Sequence, residues 1–299
     1  MKKNYYPLLA LTGLMLAACS PTYSMGSLSS SSETSEASSS SSEELYPSLG
    51  VSSLSGADLT TSSGIRWIGR TAYTQETTSM MLYYTGTGLS VRILGSSLTI
   101  TFSLNNPTQS IPDDNYLQVC VDDESAPMEG EVAVITNTKK TLTVDGLSND
   151  YHVITILRRN EPVEGNLGVV SLSTDGEFCQ KPESSGKKFL LFGASGISGN
   201  GAIGQPGQGK TTANSSSLHA FGYLTARMFG DDFQFVSASG WGLLYGYNGK
   251  NNQGNGENLV SAFTRMGIDT SNSLVTSTYD VNAFVPDYVI VNAGGNDYN

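Results

Sequence analysis

Histidine is almost missing from this sequence: His152 and His219 are the only imidazoles in 299 residues, and just three cysteines accompany them. No spacing among these residues matches a metal-ligand set, so neither a metal nor another cofactor is expected. Basic residues are scarce as well. Lys and Arg number 16 against 27 Asp and Glu, a net charge of −11, and the cations form no cluster. A surface of that sign repels phosphate backbones, which argues against nucleic acid and leaves neutral saccharides open as partners. Long apolar runs are missing too, since beyond the amino terminus nothing approaches the roughly 20 residues that cross a bilayer as a helix.

What is there begins with Lys2 and Lys3 ahead of an apolar run from Leu8 to Ala18, which closes as Leu16-Ala17-Ala18-Cys19. The run is too short to span a membrane, and small residues before the cysteine suit a processing peptidase, so residues 1–19 read as an export signal. The pattern resembles a lipobox. In that reading Cys19 becomes the mature amino terminus and its nucleophilic thiol takes a diacylglyceryl chain, giving an exported lipoprotein anchored at the cell surface or the periplasmic face. An ordinary signal peptide with a chance cysteine is the bland alternative. Residues 20–45 are mostly serine with Glu33, Glu36, Glu43 and Glu44. So little apolar surface cannot offset the entropy of ordering, and the segment reads as a solvated tether. The two remaining cysteines, Cys120 and Cys179, are compatible with an exported disulfide or with two buried thiols.

Beyond the tether the chain is long enough for two domains. Residues 60–180 hold many short strand candidates, at 65–70, 80–84, 89–93, 98–104, 117–121, 131–135, 141–144, 151–157 and 167–172. Residues 98–104 and 117–121 alternate apolar and polar, which predicts one buried and one solvated face. Breakers such as Gly86-Thr87-Gly88, Asn105-Asn106-Pro107, Pro112-Asp113-Asp114 and Asp145-Gly146 separate them, the mark of an antiparallel sandwich. Residues 46–182 are therefore expected to form a jelly-roll-like β-sandwich domain. After Lys181-Pro182 the pattern changes. Phe189-Leu190-Leu191-Phe192 is a continuous apolar run, as in a strand buried on both faces of a parallel sheet. A helix is expected over about 216–229, with Leu218, Phe221, Leu224 and Met228 on its apolar stripe, serines capping its start and Gly230 ending it. Residues 233–236 and 288–291 follow as buried strands, so residues 187–299 predict a doubly wound α/β sheet.

Open sheets of this kind place ligands at the carboxyl ends of their strands. The three strands here lead into Gly193-Ala194-Ser195-Gly196-Ile197, Ser237-Ala238-Ser239-Gly240-Trp241-Gly242 and Gly294-Gly295-Asn296-Asp297. Singly, each reads as a turn: a loop serine, a turn glycine, an asparagine bonding its own backbone. Together, in this order and each at a strand end, they resemble three blocks of the SGNH hydrolases. With Arg66-Trp67-Ile68-Gly69-Arg70, Tyr151-His152 and Arg158-Arg159-Asn160-Glu161, the chain resembles the family-two carbohydrate esterases, which join a jelly-roll domain to an SGNH domain. The resemblance implies a serine esterase that removes O-acetyl groups from polysaccharides such as plant cell-wall glycans. It assigns Ser195 as nucleophile, with an oxyanion hole from the N–H groups of Ser195 and Gly240 and the side-chain amide of Asn296. Trp241, Tyr245 and Tyr247 are candidates to stack on sugar rings, with loop or core packing an equal alternative.

Two positions depart from the family pattern. Ala194 stands where the family usually has Asp, and the family's general-base histidine, in an Asp-x-x-His block, has no counterpart up to Asn299. The SGNH domain is accordingly read as truncated at its carboxyl end, and the chain as given is expected to turn over negligibly. His219 falls one position off the helical stripe and His152 in a strand of the first domain, so neither follows the family's order. Two rival readings remain. One is a non-catalytic glycan-binding lipoprotein. The other is a P-loop NTPase, because Gly204-Gln205-Pro206-Gly207-Gln208-Gly209-Lys210-Thr211 fits G-x-x-x-x-G-K-[ST]; but no strand ends just before it and no good helix start follows it. A flexible loop beside the catalytic face is expected there, with no nucleotide as partner.

Overall fold

The computed structural model describes residues 46–105, 114–122, 130–247 and 257–298. The export signal with Cys19, the tether 20–45 and the breakers Asn106-Pro107 and Pro112-Asp113 lie outside the described residues. Twelve of the strands come first: β1 (Ser53–Ser55), β2 (Ile65–Ile68), β3 (Thr71–Thr74), β4 (Ser79–Leu82), β5 (Gly88–Gly95), β6 (Leu98–Asn105), β7 (Asn115–Val121), β8 (Glu131–Ile135), β9 (Thr141–Val144), β10 (Asp150–Arg158), β11 (Asn166–Thr174) and β12 (Glu177–Phe178). They form two antiparallel sheets. One runs β3-β4-β11-β6-β9 with β1 also on β11; the other runs β12-β5-β10-β7-β8 with β2 also on β5. Every strand candidate of this region is present, and β1, β3 and β12 are additions that the sequence did not signal.

Alternation explains how the first core is built. Leu98, Ile100 and Phe102 of β6 are buried between the two sheets with Leu167, Val169 and Leu172 of β11, facing Leu89, Val91 and Ile93 of β5 and Ile154 and Ile156 of β10. Each such side chain contributes roughly 1.5 to 3 kcal/mol by leaving water. The solvated face expected of residues 117–121 is not found, because Gln118 and Cys120 are buried along with Leu117 and Val119. The reason is a second layer. Leu157 sits one residue beyond Ile156 and therefore points to the opposite face, where it joins Ile68 and Tyr84 in a second apolar cluster with Phe189, Leu191, Tyr223 and Phe235. On that covered face the Ser90 and Thr155 hydroxyls bond one another at 2.8 Å. Cys120 and Cys179 are both buried and form no disulfide with each other. Cys120 lies in β7 and Cys179 follows β12, and β5 and β10 stand between those strands. Three strand spacings amount to roughly 14 Å, twice the reach of a disulfide.

The remaining strands, β13 (Lys188–Gly193), β14 (Asp232–Ser237) and β15 (Tyr288–Asn292), make a parallel sheet in the order β14-β13-β15. Among the described residues the α-helices are few and short: α1 (Asp58–Thr61), α2 (Ser195–Ser198), α3 (Phe221–Arg227) and α4 (Leu259–Ala262). None of the described helices is long and apolar enough to cross a membrane. The expected helix over 216–229 divides into a 3-10 turn, Ser217–His219, and α3, whose N-cap Ala220 makes no side-chain cap bond. Its expected apolar stripe is also displaced. Gly222, Tyr223 and Ala226 face the core while Phe221, Leu224 and Met228 are exposed, Met228 at 78%. The break at Ala220 restarts the helical phase, so spacing counted through from Leu218 selects the wrong face. Strand β15 is a second correction, since Tyr288, Val289 and Val291 are exposed rather than buried. Among the described residues it pairs on one side, with β13.

Candidate active site

The three strands of the parallel sheet end level with one another. Gly193 pairs in register with Ser237 on one side and with Asn292 on the other. The chain therefore leaves all three strands at the same height, and Ala194 N–H bonds Asn292 O while Ala238 N–H bonds Gly193 O. Ser195 opens α2, a single turn closed by the bond from Ser198 N–H to Ala194 O at 3.1 Å. Ser195 and Asn296, with Ala194, Asn292, Ala293 and Gly295, line one cleft of about 180 Å3. Gly240 is not among the lining residues, but its loop is tied to theirs: the Asn296 side-chain Nδ2 donates to Trp241 O at 2.8 Å. The second hydrogen of that amide is not used by this bond. Gly240 has φ +81 with open space around the site of a Cβ, so the left-handed dihedral, not crowding, calls for glycine.

Trp241 is not available to stack on a ligand. It is fully buried in the second core and its Nε1 donates to Asn272 Oδ1 at 2.9 Å. The exposed aromatics of this loop are Tyr245 and Tyr247. Tyr247 N–H bonds Gly240 O at 2.8 Å, and the stretch before it is held by Asp297, a residue whose role the sequence did not reveal. Its carboxylate accepts the backbone N–H groups of Leu243, Leu244 and Tyr245 at 2.9, 2.7 and 2.9 Å. Partial burial works against the charge, but those N–H groups win and hold the carboxyl below the usual aspartate range. Gly242 is required beneath the clamp, since a Cβ there would stand 2.6 Å from Asp297 Oδ2.

A second carboxylate enters from the antiparallel part. Glu161, just past β10, is fully buried, and its Oε1 accepts the backbone N–H of Ser239 at 2.7 Å. Burial pushes its carboxyl up, against the hydrogen bond from Ser239 and with the repulsion of Glu164, while Ser198 pulls it back down. The neighbouring Glu164 carboxylate pairs with Lys210 Nζ at 2.5 Å. Lys210 of the P-loop-like segment is thus anchored to protein, and that segment leads from no strand into no helix. Nothing local in the sequence marks Glu161 as a partner of Ser239, because 78 residues separate them.

Neither imidazole is hydrogen-bonded to Ser195 among the described residues. His219 Nδ1 and Ser216 Oγ are 2.8 Å apart, and burial together with the Arg159 charge keeps its pKa low. His152 lies in β10, with Nδ1 2.6 Å from Asp122 Oδ2 and Nε2 2.9 Å from Ser148 O. Burial opposes its charge, yet Asp122 and the Ser148 carbonyl raise its pKa overall. Among the described residues no group of three or more His, Cys, Asp or Glu could hold a metal ion. A larger cleft, about 580 Å3, opens beside β7, β8 and β9 and is lined by Val119, Leu142 and Val144 among others. It shares no residue with the three loops, so volume alone does not select the site.

Comparison with known proteins bears on this arrangement. Residues 67–182 match the family model described as carbohydrate esterase 2 N-terminal. An acetylxylan esterase / glucomannan deacetylase of Cellvibrio japonicus (strain Ueda107) is 26% identical over 303 residues, spanning 99% of this chain and 72% of that protein. Among solved structures, a family two carbohydrate esterase from Cellvibrio japonicus superposes with a TM-score of 0.66 at 24% identity, over 82% of this chain and 68% of the other. A family 2 carbohydrate esterase with a carbohydrate binding domain, from Corynascus thermopiles (Myceliophthora fergusii), gives 0.62 at 25% identity, over 79% and 66%. An acetyl xylan esterase from the rumen bacterium Butyrivibrio proteoclasticus gives 0.66 at 19% identity, over 83% and 66%. Over residues 67–182, in sequence along nearly its whole length and in fold, the chain resembles the family-two carbohydrate esterases.

Proposed function

We propose that this chain is a carbohydrate O-acetyl esterase whose nucleophile is Ser195. One observation carries the reading: Ser195 and Asn296, brought from two different strand ends, line the same cleft. Ester hydrolysis needs a nucleophile set against the carbonyl carbon and donors aimed where charge develops on its oxygen. In this reading Ser195 Oγ attacks the acetyl carbon. The N–H groups of Ser195 and Gly240 and the second amide hydrogen of Asn296 receive the oxyanion. Collapse of the tetrahedral intermediate breaks the bond to the sugar oxygen, which leaves as a hydroxyl by taking back the proton the serine gave up, and water then releases acetate from the acetyl-serine. The group that takes the serine's proton is separate from all of these, and neither His152 nor His219 is assigned to it.

The substrate class follows from the relative that is an acetylxylan esterase and glucomannan deacetylase, so acetylated plant cell-wall polysaccharides are the proposed target. An acidic chain with few cations suits a neutral glycan. Residues 46–182 are proposed as a jelly-roll-like domain and 187–299 as an SGNH-type hydrolase domain, supported by two antiparallel sheets followed by a parallel one. Anchoring through a lipid on Cys19 completes the proposal: an esterase held at a membrane while its tether lets it reach an insoluble polymer.

The decisive experiment uses protein expressed from its own gene. Hydrolysis of 4-nitrophenyl acetate, and acetate release from acetylated xylan, are expected to vanish in Ser195→Ala while the fold is retained. Wild-type protein that binds acetylated glycan without ever turning it over would instead establish the non-catalytic binding reading.

A further inference from the structure

The antiparallel part contributes one buried carboxyl side chain, Glu161, to the loops of the proposed esterase site, and that side chain has no role in the chemistry as described above. We infer that Glu161 is a positioning residue that sets the angle of the Gly240 N–H, an inference that rests on the esterase reading. Its Oε1 accepts the N–H of Ser239, the residue immediately before Gly240. Fixing one peptide plane constrains the next, so a bond at Ser239 limits how far the following N–H can swing.

Ser239 is also where the nucleophile's loop is tied in. Asn200 Nδ2 donates to Ser239 Oγ at 2.7 Å, and Asn200 N–H bonds the carbonyl of Ser195 at 3.1 Å. A parallel link runs from Ser198 Oγ to Ser237 Oγ at 2.9 Å. The strut is itself braced. Glu161 N–H bonds Glu164 Oε2 at 3.2 Å, its carbonyl accepts from Arg158 Nη2 at 2.9 Å, and Arg158 is fully buried. One acceptor atom thus registers the donor loop against the nucleophile loop from a rigid base outside both.

The contribution is geometric. A negative charge behind an oxyanion hole opposes the oxyanion, so the acceptor, not the charge, is what the site requires. Three substitutions separate these features. Glu161→Met keeps the volume and removes the acceptor, Glu161→Asp keeps the charge and withdraws the acceptor by one methylene, and Glu161→Gln keeps the acceptor and removes the charge. With 4-nitrophenyl acetate, below the melting temperature and normalised to folded protein by near-UV circular dichroism, Met and Asp are expected to lower kcat about tenfold to a hundredfold with KM within about threefold. Gln is expected to recover most of that loss. A merely structural role would lower the melting temperature and leave kcat of the folded protein alone. Wild-type kcat in Met or Asp, or a fall in Gln as deep as in Met, overturns the inference; if Met does not fold, Asp decides. Absence of hydrolysis by the wild-type protein expressed from its own gene, or a fully active Ser195→Ala, defeats the esterase reading instead.

Discussion

Ile154 in β10 and Val291 in β15 are both β-branched residues in apolar strand runs, yet Ile154 is fully buried and Val291 is 60% exposed. The contrast extends to the regions that hold them. In the antiparallel region two sheets cover each other's inner faces, and one of them is covered again on its outside by the second core. In the parallel region β13 is flanked on both sides, whereas β15 leaves Tyr288, Val289 and Val291 exposed. The proposed chemistry belongs to the less covered region, and its loops are held by polar contacts of individual side chains, among them Asp297 to Leu243, Leu244 and Tyr245, Asn296 to Trp241, and Glu161 to Ser239. Stability and site geometry therefore rest on different residues, and substitutions should separate them.

The largest effect on stability is expected in the closed region. Ile154→Ala leaves a cavity between two sheets that cannot collapse onto it, and should cost about 2 to 5 kcal/mol in urea denaturation with kcat of the folded protein unchanged. The reverse outcome is expected across the molecule. Asn296→Ala removes a proposed oxyanion donor at a partly exposed position, and should raise the barrier by roughly 2.7 to 4 kcal/mol, read as kcat, with little change in melting temperature. Equal losses of stability in the two variants would erase the distinction between the regions.

Much of the antiparallel region was legible because alternation is a local signal: Leu98, Ile100 and Phe102 point inward as their spacing requires. Alternation failed at Gln118 and Cys120, since no local pattern reports that a sheet is covered on both faces. In the parallel region Phe189 to Phe192 and the three glycine-rich loops were legible, and Ser195 and Asn296 do share a cleft. Three features there were not. The face of α3 depends on a phase break at Ala220, the burial of Trp241 on a partner 31 residues away, and the grip of Glu161 on a loop 78 residues away. Spacing in sequence encodes periodic burial, and these are long-range polar or packing choices with no period.

A smaller effect isolates the one imidazole of the antiparallel region with a raised pKa. Asp122 and the Ser148 carbonyl favour protonated His152, so the pair stabilises the fold fully below the unfolded histidine value of about 6.5 and less as pH climbs through the raised folded value. Asp122 is half exposed, which limits the contribution to about 1 kcal/mol or less. The wild-type melting temperature should thus drop by a few degrees on going from pH 6 to well above the folded pKa, and Asp122→Asn should flatten that dependence. Because the hydrogen bonds of the pair run to Ser148 and Val153 and not to the three loops, kcat should not follow the same titration. A kcat that rises or falls with it would tie the two regions together electrostatically.

The smallest expected effect tests the comparison at its root. Val291→Ala deletes two methyl groups that already face water, so it should change stability by no more than about 0.5 kcal/mol, a small fraction of the cost of Ile154→Ala. Nearby, Leu190, Phe192, Val260, Phe263 and Val289 share an apolar hollow with Val291 on this side of the sheet. If the hollow stays open in solution, Val291→Ala and Val289→Ala are both near neutral and their effects add. If instead Val291→Ala costs more than about 1 kcal/mol, the face is covered in solution and the transfer energy of the lost methyl groups is being measured. The same pair of variants in 4-nitrophenyl acetate turnover then distinguishes a cover that supports only the fold from one that also steadies Asn292, which pairs with Gly193 at the edge of the cleft.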